Sequence, residues 1–387
     1  MKTKTLIILL IILGVFAGAG ALVIHLRDIP SPSGEMGAYL LEQLPANEVV
    51  SIVIERPTES VSLTRKENSW VVEERFGYPA DFSKISDFVK TLKQVKVGRK
   101  FASSEKILKR LSLKSPGDTG APEEERGTGI RMKDKEGKPI LGMILGKTRT
   151  GGNERKAPDG QYVMLSKGPE VYLIDKILSS FEVGPSAWLE KSPVKVDDKE
   201  IRKISCMGPG GKAAVYTFER PGRGKDFELT APSTDRKVKK TSLNRVSNAL
   251  SSLQIGDVEN PSTPPESIQK GISPRLDYYL FDGRVYRVYP GNACSAAAPC
   301  YLKLEVGYQK PGPAKKEKDD TAASEKKEPA AETPQEDLAA EAARQNDRLT
   351  PWVYTIPEWQ HKAFITAFDQ LLEKEDEKDK AAKAPVK

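Results

Sequence analysis

Residues 141–152, LGMILGKTRTGG, contain the residue types and spacing that come closest to a catalytic motif. Gly146-Lys147-Thr148 has the Gly-Lys-Thr ending of a phosphate-binding loop, whose backbone amides surround a phosphate. The full motif needs a glycine five positions before Gly146, and Leu141 stands there, while Gly142 leaves only three residues between the glycines. The residues that follow are typical of a turn, not of the helix that such a loop requires. We therefore expect a strand and an ordinary turn.

Other catalytic arrangements are hard to assemble from this composition. The chain has 2 histidines, His25 and His361, so a base beside a nucleophile has few sources. The acidic pairs Glu73-Glu74 and Asp197-Asp198 are adjacent in sequence, so on a strand their carboxylates face opposite sides. We predict no catalytic residues and no cofactor, and we do not expect an enzyme.

The cysteines indicate a covalent bond rather than a metal site. Cys294 and Cys300 flank the short segment SAAAP, and an oxidising compartment would let them form a disulfide; two free buried thiols are the alternative. Zinc is not expected, because the spacing is not Cys-x-x-Cys and the two histidines lie near the N-terminus and on a late helix. Cys206, in the pattern IRKISCMG, is predicted to be a buried strand residue.

An apolar segment, residues 5–24, is long enough to cross a bilayer as a helix. We assign residues 5–26 as a transmembrane anchor of the bacterial inner membrane, with residues 1–4 in the cytoplasm and the bulk of the chain in the periplasm, because Lys2 and Lys4 favour the cytoplasmic side. A cleaved signal peptide is the alternative, since small residues occupy positions 17, 19 and 21. Gly14 and Gly18 have the spacing of a helix-packing pair, so a homodimer is one hypothesis; the alternative is that small residues are simply common in such segments.

The charge pattern does not indicate nucleic acid as a partner. The formal net charge is +7, but 61 cationic and 54 anionic side chains are interspersed along the chain. The densest basic run, residues 236–240, has no interleaved aromatic residues that could stack on bases.

After a linker at residues 27–46, one pattern of strands, helix and strands occurs twice. The helix stripe of the first copy is Ile85, Phe88, Val89 and Leu92, and that of the second copy is Val246, Ala249, Leu250 and Leu253. We therefore predict an α+β fold, in which an N-terminal transmembrane helix precedes two duplicated α+β modules with mainly antiparallel sheets.

The predicted modules cover residues 47–195 and 196–374. The second is interrupted by residues 309–348, a low-complexity insertion that has too little apolar surface to fold alone and is expected to be disordered, like the charged tail at 375–387. Residues 170–181 are predicted to pass from a strand into a helix. One continuous apolar helix face is predicted from Trp359, Ala363, Phe364, Phe368, Leu371 and Leu372.

At Trp70, Pro79-Ala80-Asp81, Ser112-Leu113-Lys114-Ser115-Pro116 and GQYVMLSKGPEVYLI, the chain resembles an uncharacterised bacterial family. Its members are single-pass, membrane-anchored repeat proteins, often encoded beside gliding-motility-type ABC transporters. The resemblance is clearest over residues 50–190. The family usually has Gly-Leu-x-x-Pro where this chain has Ser112 and its successors, and the second copy has the shortened Gly271-Ile272-Ser273-Pro274.

The resemblance brings no catalytic residues and implies a non-enzymatic, periplasmic accessory or scaffold subunit of an ABC-type transport or envelope complex. An envelope-glycan- or anionic-lipid-binding protein is the alternative, because the chain has a net positive charge and strand aromatics. Tyr278, Tyr279, Tyr286 and Tyr289 either line a ligand groove or reflect the preference of strands for tyrosine. A membrane-tethered hydrolase would need a cleft with convergent titratable groups.

Overall fold

The computed structural model describes residues 36–41, 44–67, 69–150, 158–211, 213–264, 268, 274–292, 294, 298–310 and 335–374. The predicted anchor with Gly14 and Gly18, and the predicted tail, lie outside these residues. In the described part of the chain, none of the helices has both the length and the hydropathy of a membrane-spanning segment.

The described residues form mainly antiparallel strands and a few helices. The strands are β1 Ser51–Glu55, β2 Ser60–Lys66, β3 Ser69–Val72, β4 Tyr78–Pro79, β5 Val97–Ala102, β6 Thr128–Lys133, β7 Pro139–Thr150, β8 Pro158–Leu165, β9 Glu170–Ile174, β10 Ile201–Met207, β11 Ala214–Glu219, β12 Glu228–Ala231, β13 Asp257–Val258, β14 Arg275–Leu280, β15 Arg284–Pro290, β16 Cys300–Tyr308 and β17 Tyr354–Ile356. The helices are α1 Phe82–Gln94, α2 Glu105–Arg110, α3 Lys240–Ser247, α4 Gln335–Leu349 and α5 Glu358–Phe364.

The chain divides into two compact units. Among the described residues, unit 1 takes in those up to 64 and those from 83 to 184, and unit 2 takes in 65–82 and those from 185 onward. Segment 65–82 belongs to unit 2 because Ala80 forms a β-bridge with Leu189, and Arg75 Nε lies 2.6 Å from a carboxylate oxygen of Asp257. The module boundary predicted at residue 195 falls inside unit 2.

Two sheets organise the fold, and their strand orders correspond. One sheet has nine strands in the order β4-β3-β2-β1-β6-β7-β8-β9-β5, and the other has eight in the order β12-β11-β10-β14-β15-β16-β17-β13. Apart from β4, each strand of the first sheet has a counterpart at the same place in the second. The edge strands β5 and β13 each follow the helix that the apolar stripe predicted, α1 or α3. The predicted α+β class with mainly antiparallel sheets is confirmed.

The predicted helix stripes are buried in both units. Ile85, Phe88 and Leu92 of α1 are buried, and the Phe88 ring centroid lies 4.8 Å from that of Phe181. Burying each such side chain contributes about 1.5–3 kcal/mol. The second stripe is also buried, but α3 ends at Ser247, earlier than predicted. There the Asn248 side chain donates to the Asn244 carbonyl at 2.9 Å, which competes with continued helix.

The prediction that residues 309–348 are disordered is wrong for its second part. Residues 335–349 form α4, which packs on β16, and Ala342 and Leu349 are buried. The Asn346 side-chain oxygen accepts a hydrogen bond from the Val306 amide at 3.0 Å, which ties the helix to the strand. The composition is too polar to fold alone, but the sheet supplies the apolar surface that the segment lacks.

One predicted helix is absent, and another is shorter than expected. After β9 the chain forms a 3-10 turn at Ser179–Phe181 and no α-helix. The C-terminal helix α5 ends at Phe364, and a separate 3-10 turn follows at Phe368–Leu371. Between them the Thr366 hydroxyl donates to the Lys362 carbonyl at 2.9 Å, a bond typical of a helix end. Trp359, predicted on the apolar face, is 62% exposed.

Candidate functional site

The stretch that resembles a phosphate-binding loop is a close-packed part of a strand. Gly146 and Lys147 lie inside β7, as the strand interpretation predicted. A Cβ atom at Gly146 would lie 2.3 Å from the Leu111 carbonyl oxygen. The Lys147 amide donates to that same oxygen at 2.9 Å. Gly146 is therefore needed for close approach of backbone to backbone, and the amide after it is already bonded.

Unit 2 contains a polar groove of about 330 Å³ beside the β11–β12 hairpin and α3. Its floor and walls come from the end of β11, the hairpin loop, the first turns of α3 and the turn before β10. The residues that line it are Asp198, Lys199, Arg220, Gly224, Lys225, Asp226, Phe227, Val238, Lys240, Leu243, Asn244, Ser247 and Asn248.

Arg220 is the central residue of this groove. It follows β11 directly, and Phe227 precedes β12, so the two residues stand opposite each other just beyond the last paired residues, Glu219 and Glu228. The guanidinium carbon lies 3.7 Å from the Phe227 ring centroid, in a cation-π stack. The hairpin register thus places a cation against an aromatic face.

Arg220 is buried, and one nitrogen of its guanidinium has no hydrogen-bond partner among the described residues. The residue is 6% exposed, and its Nε atom is buried with no hydrogen-bond partner among the described residues. Burial lowers the pKa of Arg220 from its ordinary value, while Asp198 and Asp226 act in the opposite direction. A guanidinium nevertheless keeps its charge in proteins. A buried donor left unpaired costs about 1–3 kcal/mol, and more when it is charged.

The charges around Arg220 favour an anion. Four lining side chains are cationic, Arg220, Lys199, Lys225 and Lys240, and two are anionic, so the groove has a formal charge of +2. Lys240 Nζ lies 3.0 Å from a carboxylate oxygen of Asp226, and both side chains are exposed, so this pair is weak.

Unit 1 has a larger groove of about 660 Å³, but its arginine is already paired. Arg149 forms two hydrogen bonds with Asp159, at 2.7 and 2.9 Å, and each group shifts the pKa of the other, raising that of Arg149 and lowering that of Asp159. Arg99 and Arg110, which also line it, are exposed. No buried cation there resembles Arg220, so the unit 2 groove is the stronger candidate.

Part of the chain, including the residues that line the unit 2 groove, matches a known protein family. A family described as a domain of unknown function, DUF4340, matches residues 70–270. This chain belongs to the DUF4340 family. No curated protein and no solved structure matches the chain. Every residue that lines the unit 2 groove lies within the part that matches DUF4340.

Ser112, where the resemblance leads us to expect glycine in DUF4340 proteins, occupies a backbone conformation that suits glycine. Its φ is +52°, and it directly follows the cap of α2. The Ser112 amide donates to the Lys109 carbonyl at 3.3 Å, and the Leu113 amide donates to the Leu108 carbonyl at 2.9 Å. These two bonds form a Schellman motif, whose left-handed residue is usually glycine. The Ser112 hydroxyl donates to the Glu124 carbonyl. Gly271 and its successors lie outside the described residues.

The predicted site residues of the DUF4340 chain fall in different places. Cys294 and Cys300 form a disulfide. Cys206 is a buried free thiol in β10, as its strand pattern predicted. His361 is buried on α5, and its Nε2 atom lies 3.1 Å from the Gly291 carbonyl oxygen. A ring nitrogen of His361 and the two disulfide sulfurs lie within 4.8 Å of one another, a grouping that the sequence did not predict because 61 residues separate His361 from Cys300.

The strand tyrosines do not line a common groove. Tyr278 and Tyr286 are buried, and their hydroxyls donate to the Val246 carbonyl at 3.0 Å and to Gln345 at 3.0 Å. Tyr289 donates to Glu305 at 2.8 Å, and Lys203 lies over the ring of Tyr279. Their roles are in packing and strand pairing. The sequence analysis missed Arg220. A usable signal was present, because Arg220 and Phe227 flank the loop of one predicted hairpin and are therefore expected to lie opposite each other.

Proposed function

We propose that this DUF4340 chain is a non-enzymatic, membrane-anchored accessory or scaffold subunit of an ABC-type transport or envelope complex in the periplasm, built from a duplicated module. The matching strand orders of the two sheets support the duplication. The apolar segment at residues 5–24 supports the anchor. In this proposal, unit 2 binds an anionic group of an envelope component or of a partner subunit.

One observation carries the binding part of the proposal. Arg220 is buried and stacked on Phe227, and its Nε atom has no hydrogen-bond partner among the described residues, in a groove with a net positive charge. Burial of a charged group is costly, and Arg220 lies in the region that matches the family. Phosphate and carboxylate groups offer the geometry that a guanidinium binds best.

Titration of the full chain in mild detergent with inorganic phosphate, and separately with glucuronate, tests the groove. Arg220→Met keeps the length of the side chain and removes its charge, so affinity should fall roughly 10–100-fold, as expected for charge-assisted hydrogen bonds. The matched control is Arg223→Met, because Arg223 also lies over an aromatic ring, that of Phe281, but is exposed and pairs with Glu200 at 2.8 Å. Its affinity should change by less than about twofold.

The groove assignment would be abandoned if neither anion bound, or if both variants bound as the unchanged chain does. Arg220→Lys separates charge from geometry, since lysine keeps the charge without the planar fork. We expect it to recover only part of the affinity. Loss of the Arg220→Met protein through misfolding would show as a lower unfolding midpoint, and Arg220→Lys would then decide the matter.

Co-purification tests the partner. The full chain, extracted in mild detergent, should bring transporter or envelope subunits with it, and recovery of the chain alone would count against the accessory role. The same extraction with Arg220→Met determines whether the groove or another surface holds the partner.

An envelope-glycan- or anionic-lipid-binding protein is the alternative that the charged groove also favours. Retention on isolated cell wall or on anionic vesicles at low salt, lost in Arg220→Met, would support it, and no retention would remove it. A hydrolase gains no support from this groove. Its lining residues include no histidine, and the Ser247 hydroxyl already donates to the Asn244 carbonyl at 3.2 Å.

A further inference from the structure

Three metal-ligating side chains meet in unit 2, and none of them lines the groove around Arg220. Cys294 precedes β16, Cys300 begins it, and His361 lies on α5. Their potential ligand atoms all lie within 4.8 Å of one another. Cys300 is 6% exposed and His361 is 1% exposed, so two of the three are almost fully removed from water.

The hydrogen bond of His361 prepares its ring for a metal. Because the Gly291 carbonyl can only accept, Nε2 carries the hydrogen and donates to it at 3.1 Å. In the neutral ring Nδ1 then has a free lone pair. Metal-binding histidines almost always donate their other N–H to a carboxylate or a carbonyl in this way.

The distances fit zinc after small movements. Zinc bonds of about 2.3 Å to thiolate and about 2.1 Å to imidazole place tetrahedral ligand atoms roughly 3.5–3.8 Å apart. A cluster within 4.8 Å must therefore tighten by about 1 Å for its farthest pair. The two sulfurs must also separate, which cleavage of the disulfide permits.

We propose that Cys294, Cys300 and His361 form a zinc site that becomes available when the Cys294–Cys300 disulfide is reduced. A thiol-disulfide oxidoreductase of the dithiol class supplies two electrons and two protons, so the disulfide becomes two thiols and the dithiol becomes a disulfide. Zn²⁺ then displaces the two thiol protons and binds both thiolates and a ring nitrogen of His361, with water in the fourth position.

The two redox states thus have different chemistry at one place. The disulfide sulfurs have no negative charge and do not compete for the metal, while the thiolate pair with imidazole is the soft donor set that zinc prefers over Mg²⁺ or Ca²⁺. The site lies outside residues 70–270, so it is separate from the part that matches DUF4340.

Co²⁺ titration of the full chain in detergent, with and without prior reduction, tests the site, because thiolate-bound cobalt has a distinctive visible and near-ultraviolet spectrum; Zn²⁺ should then displace it. The reduced chain should bind stoichiometrically and the oxidised chain should not. Cys294→Ser should abolish the thiolate spectrum, and His361→Gln should weaken binding by more than roughly 100-fold. Cys206→Ser is the matched control, since it removes a buried thiol outside the cluster.

The proposal would be overturned by no cobalt binding in the reduced chain, by equal binding in the oxidised chain, or by unchanged affinity in His361→Gln. If His361→Gln fails to fold, Cys294→Ser decides, because Cys294 is only half-buried. Full thiolate spectra in Cys294→Ser would also refute the site. None of these results depends on the groove around Arg220, so the two proposals fail separately.

Discussion

Replacing Ser112 tests whether the glycine position of the family motif is a demand of backbone geometry. Ser112 has a φ of +52° in a Schellman motif after α2. A left-handed conformation costs a non-glycine residue roughly 1–2 kcal/mol. Glycine avoids that cost but loses about 0.4–1 kcal/mol through the greater freedom of the unfolded chain. Glycine should therefore be more stabilising than alanine here by about 1 kcal/mol.

Two variants separate the backbone effect from the hydroxyl effect. Ser112→Ala keeps the left-handed cost and removes the bond from the hydroxyl to the Glu124 carbonyl, which is worth about 1 kcal/mol net. Ser112→Gly removes the same bond and the left-handed cost. We expect Ser112→Ala to be destabilised by about 1 kcal/mol and Ser112→Gly to be close to the unchanged chain in its free energy of unfolding.

Urea unfolding followed by far-ultraviolet circular dichroism is the suitable assay. All 4 tryptophans, at positions 70, 188, 352 and 359, fall in unit 2, so their fluorescence would not report on α2. Hydrogen exchange of the Leu113 amide, which closes the motif, gives a local measurement. If Ser112→Gly were no more stable than Ser112→Ala, the backbone explanation of the motif would be wrong.

Three other outcomes are expected. Gly146→Ala should destabilise unit 1 by at least about 1–3 kcal/mol in urea unfolding, because the new Cβ would lie 2.3 Å from the Leu111 carbonyl oxygen. The control is Gly117→Ala, which should leave the free energy of unfolding unchanged because the nearest atom to its Cβ is 3.6 Å away. Burial raises the pKa of Cys206 to about 11, so iodoacetamide should label this thiol at pH 8 only after unfolding. The contribution of the neutral thiol to the free energy of unfolding is complete below the ordinary thiol pKa, and it is lost as the pH rises through about 11. Cys294→Ser should lower the free energy of unfolding by about 2 kcal/mol, as expected for a loop with a sequence separation of 6, and labelling of Cys294 without reductant would contradict the disulfide.

The alternation of apolar and polar residues in strands, and the apolar stripes of helices, predicted most of the elements, because the apolar residues of each such element face one buried side. The edge strand β5 could not be found in this way. Only Val97 of its residues is fully buried, and Arg99 and Lys100 interrupt the pattern. Helix α4 was also missed, since it has few apolar residues to bury, and polar side chains such as Gln345 and Asn346 supply part of its contacts with the sheet.

The candidate site was less predictable than the fold. Arg220 is a single arginine in a chain with many, and its burial depends on where the hairpin places Phe227. The cluster of Cys294, Cys300 and His361 depends on how α5 packs near the start of β16. Contacts between residues far apart in sequence follow from sheet order, which local periodicity does not encode.

The sheet order also determines how long strand β5 stays unpaired while the chain is being synthesised. Strand β5 is complete at residue 102, but β9, with which it pairs, begins at residue 170. At the usual speed of translation, about 5–20 residues per second, β5 waits roughly 3–14 s for this neighbour. Throughout that interval its backbone could pair with a strand of another chain. The charges of Arg99 and Lys100, which make β5 hard to recognise, are also what discourages such pairing.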